Sequence, residues 1–452
     1  MLDSLTIGLT GLVVLVALIA IRIPIAYAML VVGGVGTALL NGWPIVLSQL
    51  KDLAYAQFST YDLSVVPLFV LMGAIASRTG LSADLFRAAN AWLGWMRGGV
   101  AMAAIAACAG FGAVCGSSLA TASTMGRVAL PELKRYRYSN RLATGTIAAG
   151  GVLGILIPPS VVLIIYAIIV EANVVTMFMA ALLPGVIAVV FFILTILAYT
   201  TLVPGSGPAG TRAERSELIA STLNIFPVLV VFIAVIGGLY FGLFNPTPAA
   251  AVGVVMVALI AVLRRKLTLV ETREALLETA RTTGMVFLIL LGAELLKIFM
   301  ARGGVPQAMA EMMANSGLAP MTTLIVLLAA LILLGCLMDS LSMILLVIPF
   351  FWPVLVEING GDYAAAAQSP FGLTTEELKI WFGILALIVV ELGLITPPVG
   401  MNVFIISAQA QDVPMRDTFI GVMPFFVAEL IRVALLLAVP GIVFVLPRLL
   451  GG

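Results

Sequence analysis

Two pairs of prolines lie deep inside apolar sequence, and they constrain this chain more than any other feature. The first closes Gly150–Pro159 (GGVLGILIPP) and the second sits in Glu391–Gly400 (ELGLITPPVG). Proline removes a backbone N–H and clashes with the preceding turn, so a helix entering either stretch must break there. A break at bilayer depth leaves carbonyls that hydrocarbon cannot satisfy, so such backbone survives only inside protein or beside a wet cavity. Two interruptions in corresponding places of two halves are the sequence pointer to the binding site of a secondary transporter.

The bilayer context follows from composition. Of 452 residues, 62% are hydrophobic and only 10% charged, the balance of a multi-span membrane protein. A net charge of +1 provides no basic field for nucleic acid. Histidine is absent, which removes imidazole bases, Ser–His pairs and His-based zinc sites. Cys108, Cys115 and Cys336 all lie in apolar runs and read as small buried residues. No lysine follows a glycine, so there is no phosphate-binding loop, and energy for transport must come from a gradient or a partner. The apolar N-terminus lacks a basic leader and a small-residue cleavage site, so it is expected to be a first span.

Spans need roughly 17 to 25 apolar residues. Leu5–Ile21, ended by Arg22, and Ile25–Leu40 read as the first two, Pro44–Thr60 as an interfacial arm, Leu63–Ala76 as the third, and Ser82–Arg97 as an amphipathic interfacial helix. Residues 100–133 form an apolar run interrupted at Gly116-Ser117-Ser118, expected to be a re-entrant hairpin, and residues 142–170 carry the first broken helix. Leu183–Leu202 spans again. After a Pro/Gly linker at 204–217 the pattern restarts: Ile225–Phe244 and Pro248–Leu263 as spans, an arm at Leu267–Thr283, a span at Met285–Met300, and an amphipathic piece at Gly304–Ser316. A hairpin at 319–356 interrupted near Asp339-Ser340, a broken helix at 378–410, and a last span at Thr418–Leu446 complete the second half.

The halves 1–203 and 218–452 align by offset. Pro131 follows Ser117, and Pro353 follows Asp339, by the same fourteen residues. Charge sets their orientation. Glu132–Arg141 holds four basic residues and one acid, whereas the equivalent Glu357–Lys379 holds four acids and one lysine. Short cytoplasmic loops are the basic ones, so equivalent loops fall on opposite sides. The expected fold is therefore an all-α polytopic membrane protein of two inverted repeats. Each repeat has about five spans, one re-entrant hairpin and one broken helix, and the N-terminus is outside.

Hydroxyls and carbonyls at Gly116–Thr121 are hard neutral oxygens that suit a desolvated Na⁺. Small residues there also let helices pack closely. Asp339-Ser340-Leu341-Ser342 occupies the equivalent place, and an intramembrane carboxyl is a functional candidate by default. Asp339 is open to three roles: Na⁺ ligand, proton carrier, or ion-pair partner of Lys297. Glu391 is a second intramembrane carboxyl, while Glu171 and Glu429 are placed nearer span ends. Half-helix N-termini at the two breaks would favour an anionic substrate.

At these residues the chain resembles the large membrane subunit of tripartite ATP-independent periplasmic (TRAP) transporters. The resemblance covers nearly the whole chain and rests on GSSLATAS at 116–123, GGVLGILIPPS at 150–160 with Tyr166 and Pro184-Gly185 after it, and ELGLITPPVGMN at 391–402. It implies an elevator-type transporter, not an enzyme, in the bacterial inner membrane. It implies Na⁺-coupled uptake of an organic acid, such as a dicarboxylate or sialic acid, delivered by a periplasmic substrate-binding protein, with Na⁺ as coupling ion and no cofactor. A small four-helix membrane subunit is expected as a separate chain. By motif, one Na⁺ site would use Ser117 or Ser118 with backbone at Gly154, Ile157 and Pro159. The other would use Asp339, Ser340, Thr396 and the backbone at Val399. Thr121, Pro158, Pro397 and Asn402 become substrate-binding candidates. Two other readings remain: a symporter that needs no binding protein, and an antiporter using Asp339 and Glu391 as proton sites.

Overall fold

The computed structural model describes residues 3–21, 23–315 and 317–451; Arg22, which ends the first expected span, and Ser316, which ends the expected amphipathic piece, lie outside them. The first half comprises α1 (Ser4–Ala20), α2 (Ile25–Asn41), α3 (Trp43–Phe58), α4 (Val65–Arg78), α5 (Leu81–Leu93), α6 (Gly99–Cys115), α7 (Ser118–Arg135), α8 (Asn140–Leu156), α9 (Val161–Ile169) and α10 (Val174–Leu202). The second comprises α11 (Arg215–Phe232), α12 (Gly238–Tyr240), α13 (Pro246–Leu263), α14 (Leu269–Arg302), α15 (Val305–Asn315), α16 (Pro320–Gly335), α17 (Ser340–Asn359), α18 (Thr375–Gly393), α19 (Met401–Gln409), α20 (Met415–Ala438) and α21 (Gly441–Leu450). No strand occurs among the described residues. Seven helical stretches there are long and apolar enough to cross a bilayer, and the bent pair α8–α9 makes an eighth.

The interruptions fall where the prolines and hydroxyl-rich turns put them. Helix α6 ends at Gly116, whose φ of +63° is the left-handed C-cap that glycine adopts without penalty. Ser117 then turns the chain extended and caps α7, its Oγ accepting from Ala120 N at 3.4 Å. Asp339 does the same for α17, accepting from Ser342 N at 3.1 Å and Ser342 Oγ at 2.6 Å. The first proline pair separates α8 from α9 with a 47° bend, and Ser160 caps α9 through Leu163 N at 3.3 Å. The second pair lies in the non-helical segment between Gly393 and Met401.

Two expectations change. The arm at 267–283 and the span at 285–300 are one continuous helix, α14, opened by a capping box between Thr268 and Glu271. The intervening Gly284 costs a helix only about 1 kcal/mol, too little to break it. The last span is instead two helices. Pro440 ends α20, because the residue before a proline avoids the helical region, and Val439 sits at φ −132°, ψ 75°.

The helices pack in two groups. One is built on α14 against α2 and α4, with α13 on α4 and α1 on α2. The other is built on α8, which contacts α6, α7, α19 and α20, with α18 packed on α16 and α9 on α17. Helix α8 is buried from Leu142 to Leu156, while α1 and α11 present apolar residues such as Val13, Ile219 and Phe226 outward. An apolar outer surface of this kind faces lipid, so burial and lipid exposure together account for helices that are hydrophobic nearly all round.

Candidate functional site

A cavity of about 350 Å³ lies where the interruptions meet. Four helices start on it: α7 at Ser117-Ser118, α9 at Val161-Val162, α17 at Asp339-Ser340, and α19 at Met401. Each helix start carries unsatisfied N–H groups and the positive end of a macrodipole. The opposite wall comes from the other helix group, with Gly73 and Ser77 on α4 and Glu278, Thr282 and Met285 on α14. No lysine or arginine lines the cavity among the described residues. Two carboxyl side chains, Asp339 and Glu278, do line it, so any positive contribution to its potential comes from backbone.

Glu391 lies beneath the cavity, in the last turn of α18. It is wholly buried, and both carboxyl oxygens are engaged: Ser118 Oγ donates to Oε2 and Ser340 Oγ donates to Oε1. One serine begins the second helix of the first hairpin and the other begins its counterpart in the second hairpin. A single side chain thus gathers both hairpin turns. The sequence marks Glu391 as an intramembrane carboxyl, but spacing alone gives no hint that it reaches both serines.

The residues expected at the first ion site converge. A Cβ on Gly154 would come within 2.7 Å of Ser117 O and would also strike Thr121 Oγ1, and a Cβ on Gly116 would come within 2.8 Å of Pro159 O. Glycine at both positions lets three backbone segments close on one point. Thr121 Oγ1 is fully buried there with no hydrogen-bond partner, an oxygen free to meet a cation. This donor set suits Na⁺. Ile157 is buried in the same break, its side chain toward Gly185.

The second group is less gathered. Asp339 is half-buried and lines both the central cavity and an adjoining space of about 610 Å³ near the α1–α2 turn. Thr396 Oγ1 donates to Leu392 O at 2.6 Å in its own turn, Pro397 is exposed, and Val399 is partly exposed; none of the three lines the cavity. Of the substrate candidates, Thr121 and Pro158 are buried beside the first break. Asn402 is buried against α8, donating to Ala148 O at 3.3 Å and keeping an unpartnered Oδ1. These three sit behind the cavity wall.

Two charged residues differ from expectation. Lys297 approaches Glu294 at 3.7 Å, not Asp339. Glu429, expected near a span end, is buried in mid-α20 with Arg432, which donates to it and also to Pro184 O at 2.9 Å. The i, i+3 spacing of Glu429 and Arg432 in an apolar run is the signal that could have revealed the pair. Outside the spans, Lys134 pairs with Asp412 and holds that carboxyl below its ordinary range; at the span ends Arg141, in the first turn of α8, meets Asp417, in the first turn of α20, at 2.9 Å.

Interrupted helices whose N-termini converge on a wet cavity within a polytopic bundle define a helical membrane transporter. A family model for the DctM component of tripartite ATP-independent periplasmic transporters matches residues 12–442, and the chain belongs to that family. It is a multi-pass inner-membrane transport protein and not an enzyme. It is 33% identical over 407 residues to the C4-dicarboxylate TRAP transporter large permease protein DctM of Pseudomonas aeruginosa, covering 89% of this chain and 91% of that one. It is 30% identical over 399 residues to the sialic acid TRAP transporter large permease protein SiaM of Vibrio cholerae, covering 87% of each. Its fold resembles that of the YdaH transporter of Alcanivorax borkumensis, with a TM-score of 0.64, 13% identity and 89% of each chain covered.

Proposed function

We propose that this chain moves an organic acid into the cell by Na⁺-coupled secondary transport. The acid is delivered by a periplasmic substrate-binding protein, and a small four-helix membrane subunit completes the transporter. The observation that carries this reading is the convergence of four helix N-termini on one cavity whose lining, among the described residues, has no cationic side chain. Such an arrangement holds a carboxylate by backbone dipoles. The substrates named for the two relatives, C4-dicarboxylates and sialic acid, are both carboxylates. Na⁺ supplies the charge that lets an anion enter a membrane protein against the potential. Ser117 O, Ser118 Oγ, Thr121 Oγ1 and the backbone at Gly154 and Pro159 would hold one ion. Asp339 with Ser340 would anchor the other, and Thr396 and Val399 would join only on closure around it.

Sidedness and movement complete the proposal. The central cavity lies along the half of α14 that follows the basic run Arg264–Lys266 and beside the Arg78 end of α4. By the charge rule that end would be cytoplasmic and the N-terminus periplasmic, which would put the central cavity on the cytoplasmic side. A second space of about 460 Å³, lined by Lys297, Glu294 and Tyr363, lies along the other half of α14. Alternating access would slide the α8 group against the α14 group, as an elevator built from two inverted repeats. Binding tests the ion reading directly. The detergent-purified complex should be stabilised against heating by Na⁺ and not by K⁺ at equal ionic strength. Equal response to both cations would contradict it.

A further inference from the structure

We infer that Glu391 is a positioning residue that makes the two hairpin turns act as one cation-binding unit. The inference rests on the Na⁺-coupled reading and adds a residue to it. A serine hydroxyl has one proton to donate and two lone pairs. Ser118 and Ser340 both commit that proton to Glu391, and both line the cavity. Their remaining capacity is therefore acceptor-only, which suits a cation and not a carboxylate.

The geometry also makes the two turns interdependent. Ser118 is the first residue of α7, Ser340 the first of α17, and Glu391 belongs to the last turn of α18, where Leu394 N donates to its carbonyl at 3.1 Å. When the break after α18 shifts, the carboxyl that orients both hydroxyls shifts with it. An ion bound at one turn fixes its serine and Glu391, and so sets the opposite serine in advance. Partners that orient metal ligands in this way alter affinity by about 10- to 100-fold when removed.

Glutamine tests this with almost no change of shape. The two serines bond different carboxyl oxygens, and an amide in the same place keeps an acceptor at only one of those positions and puts a donor NH₂ at the other. One hydroxyl must then accept the amide N–H. Uptake should be measured in proteoliposomes holding the full transporter complex, with external Na⁺ varied at saturating substrate. Wild type should give a sigmoidal Na⁺ curve. E391Q should raise the half-saturating Na⁺ at least about tenfold and bring the Hill slope toward one. At saturating Na⁺ the substrate KM should stay within about twofold, a split that general loss of structure would not produce. S118A and S340A supply a second measurement that does not require E391Q to fold. Their effects on half-saturating Na⁺ should fail to multiply in the double variant, because both act through one carboxyl.

A sigmoidal wild-type curve that E391Q leaves unchanged, or serine effects that multiply, would overturn this inference while Na⁺ coupling stands. Wild-type uptake indifferent to Na⁺ would remove both together.

Discussion

Replacing Asp339 separates a structural role from an ionic one, because the structure assigns it both. The carboxylate caps α17 by accepting from Ser342 N at 3.1 Å and Ser342 Oγ at 2.6 Å, and it also lines the central cavity. Alanine removes cap and charge. Loss of an Asp N-cap costs about 1 kcal/mol, so Asp339→Ala should lower stability measurably without preventing membrane insertion. Asparagine is an equally good N-cap. Its Oδ1 can keep the bond from Ser342 N while Nδ2 donates to Ser342 Oγ, so Asp339→Asn should hold stability within about 0.5 kcal/mol of wild type. The charge is lost in both. A unit charge pair about 4 Å apart at an effective dielectric near 20 is worth roughly 4 kcal/mol. A third of that already shifts half-saturation by about tenfold. Both variants should therefore lose Na⁺-dependent uptake at physiological Na⁺, while only alanine lowers the melting temperature. The assay pairs Na⁺-titrated uptake with thermal unfolding of the same preparations. Normal Na⁺ dependence in Asp339→Asn would remove Asp339 from the ion site and leave it a helix cap.

Three further outcomes follow from the geometry. Gly154→Ala places a methyl against Ser117 O and Thr121, so uptake should fall to background while the protein still inserts, read as transport per unit of membrane protein. Arg432→Met alone strands a buried Glu429 and should destabilise the protein by roughly 3–5 kcal/mol, whereas Arg432→Met with Glu429→Leu should recover most of that in a thermal-unfolding assay. The Lys134–Asp412 pair lowers the Asp412 carboxyl in the folded state, so its stabilisation is present above the ordinary carboxylate range, near 4, and is lost as pH falls through the lowered value. Asp412→Asn should therefore lower stability slightly at pH 7, where the pair is intact, and flatten the acid limb of the stability profile, because the variant has no such contribution left to lose.

The interruptions were legible because their chemistry is local. Paired prolines break a helix wherever they stand, and Gly116, Ser117 and Asp339 carry turn and cap preferences that do not depend on distant contacts. The resemblance drawn from those same motifs is met by a family match over nearly the whole chain. Boundaries that depend on tertiary support were harder. Gly284 reads as the joint between an arm and a span, yet α14 runs through it because packing on α2 and α4 outweighs one glycine. The part of the cavity's far wall made by Glu278 and Thr282 was missed for the same reason: those residues read as an arm until α14 is one continuous helix. Glu391 reaching Ser118 and Ser340 joins positions hundreds and tens of residues away, and no periodicity encodes such contacts. Arg432 escaped notice because a buried ion pair in one helix looks, in sequence, like a span with two ordinary charges.

The central claim is that the cavity at the four helix starts moves an organic acid under a Na⁺ gradient when a binding protein supplies it. Uptake of labelled organic acids into proteoliposomes containing this chain and its small membrane subunit tests it most directly, with an inward Na⁺ gradient imposed or omitted and the cognate binding protein present or absent. The account predicts accumulation of a carboxylate only when both are present. Accumulation driven by Na⁺ without the binding protein would make this chain a self-sufficient symporter, and accumulation that ignores the Na⁺ gradient would contradict the assignment of the site.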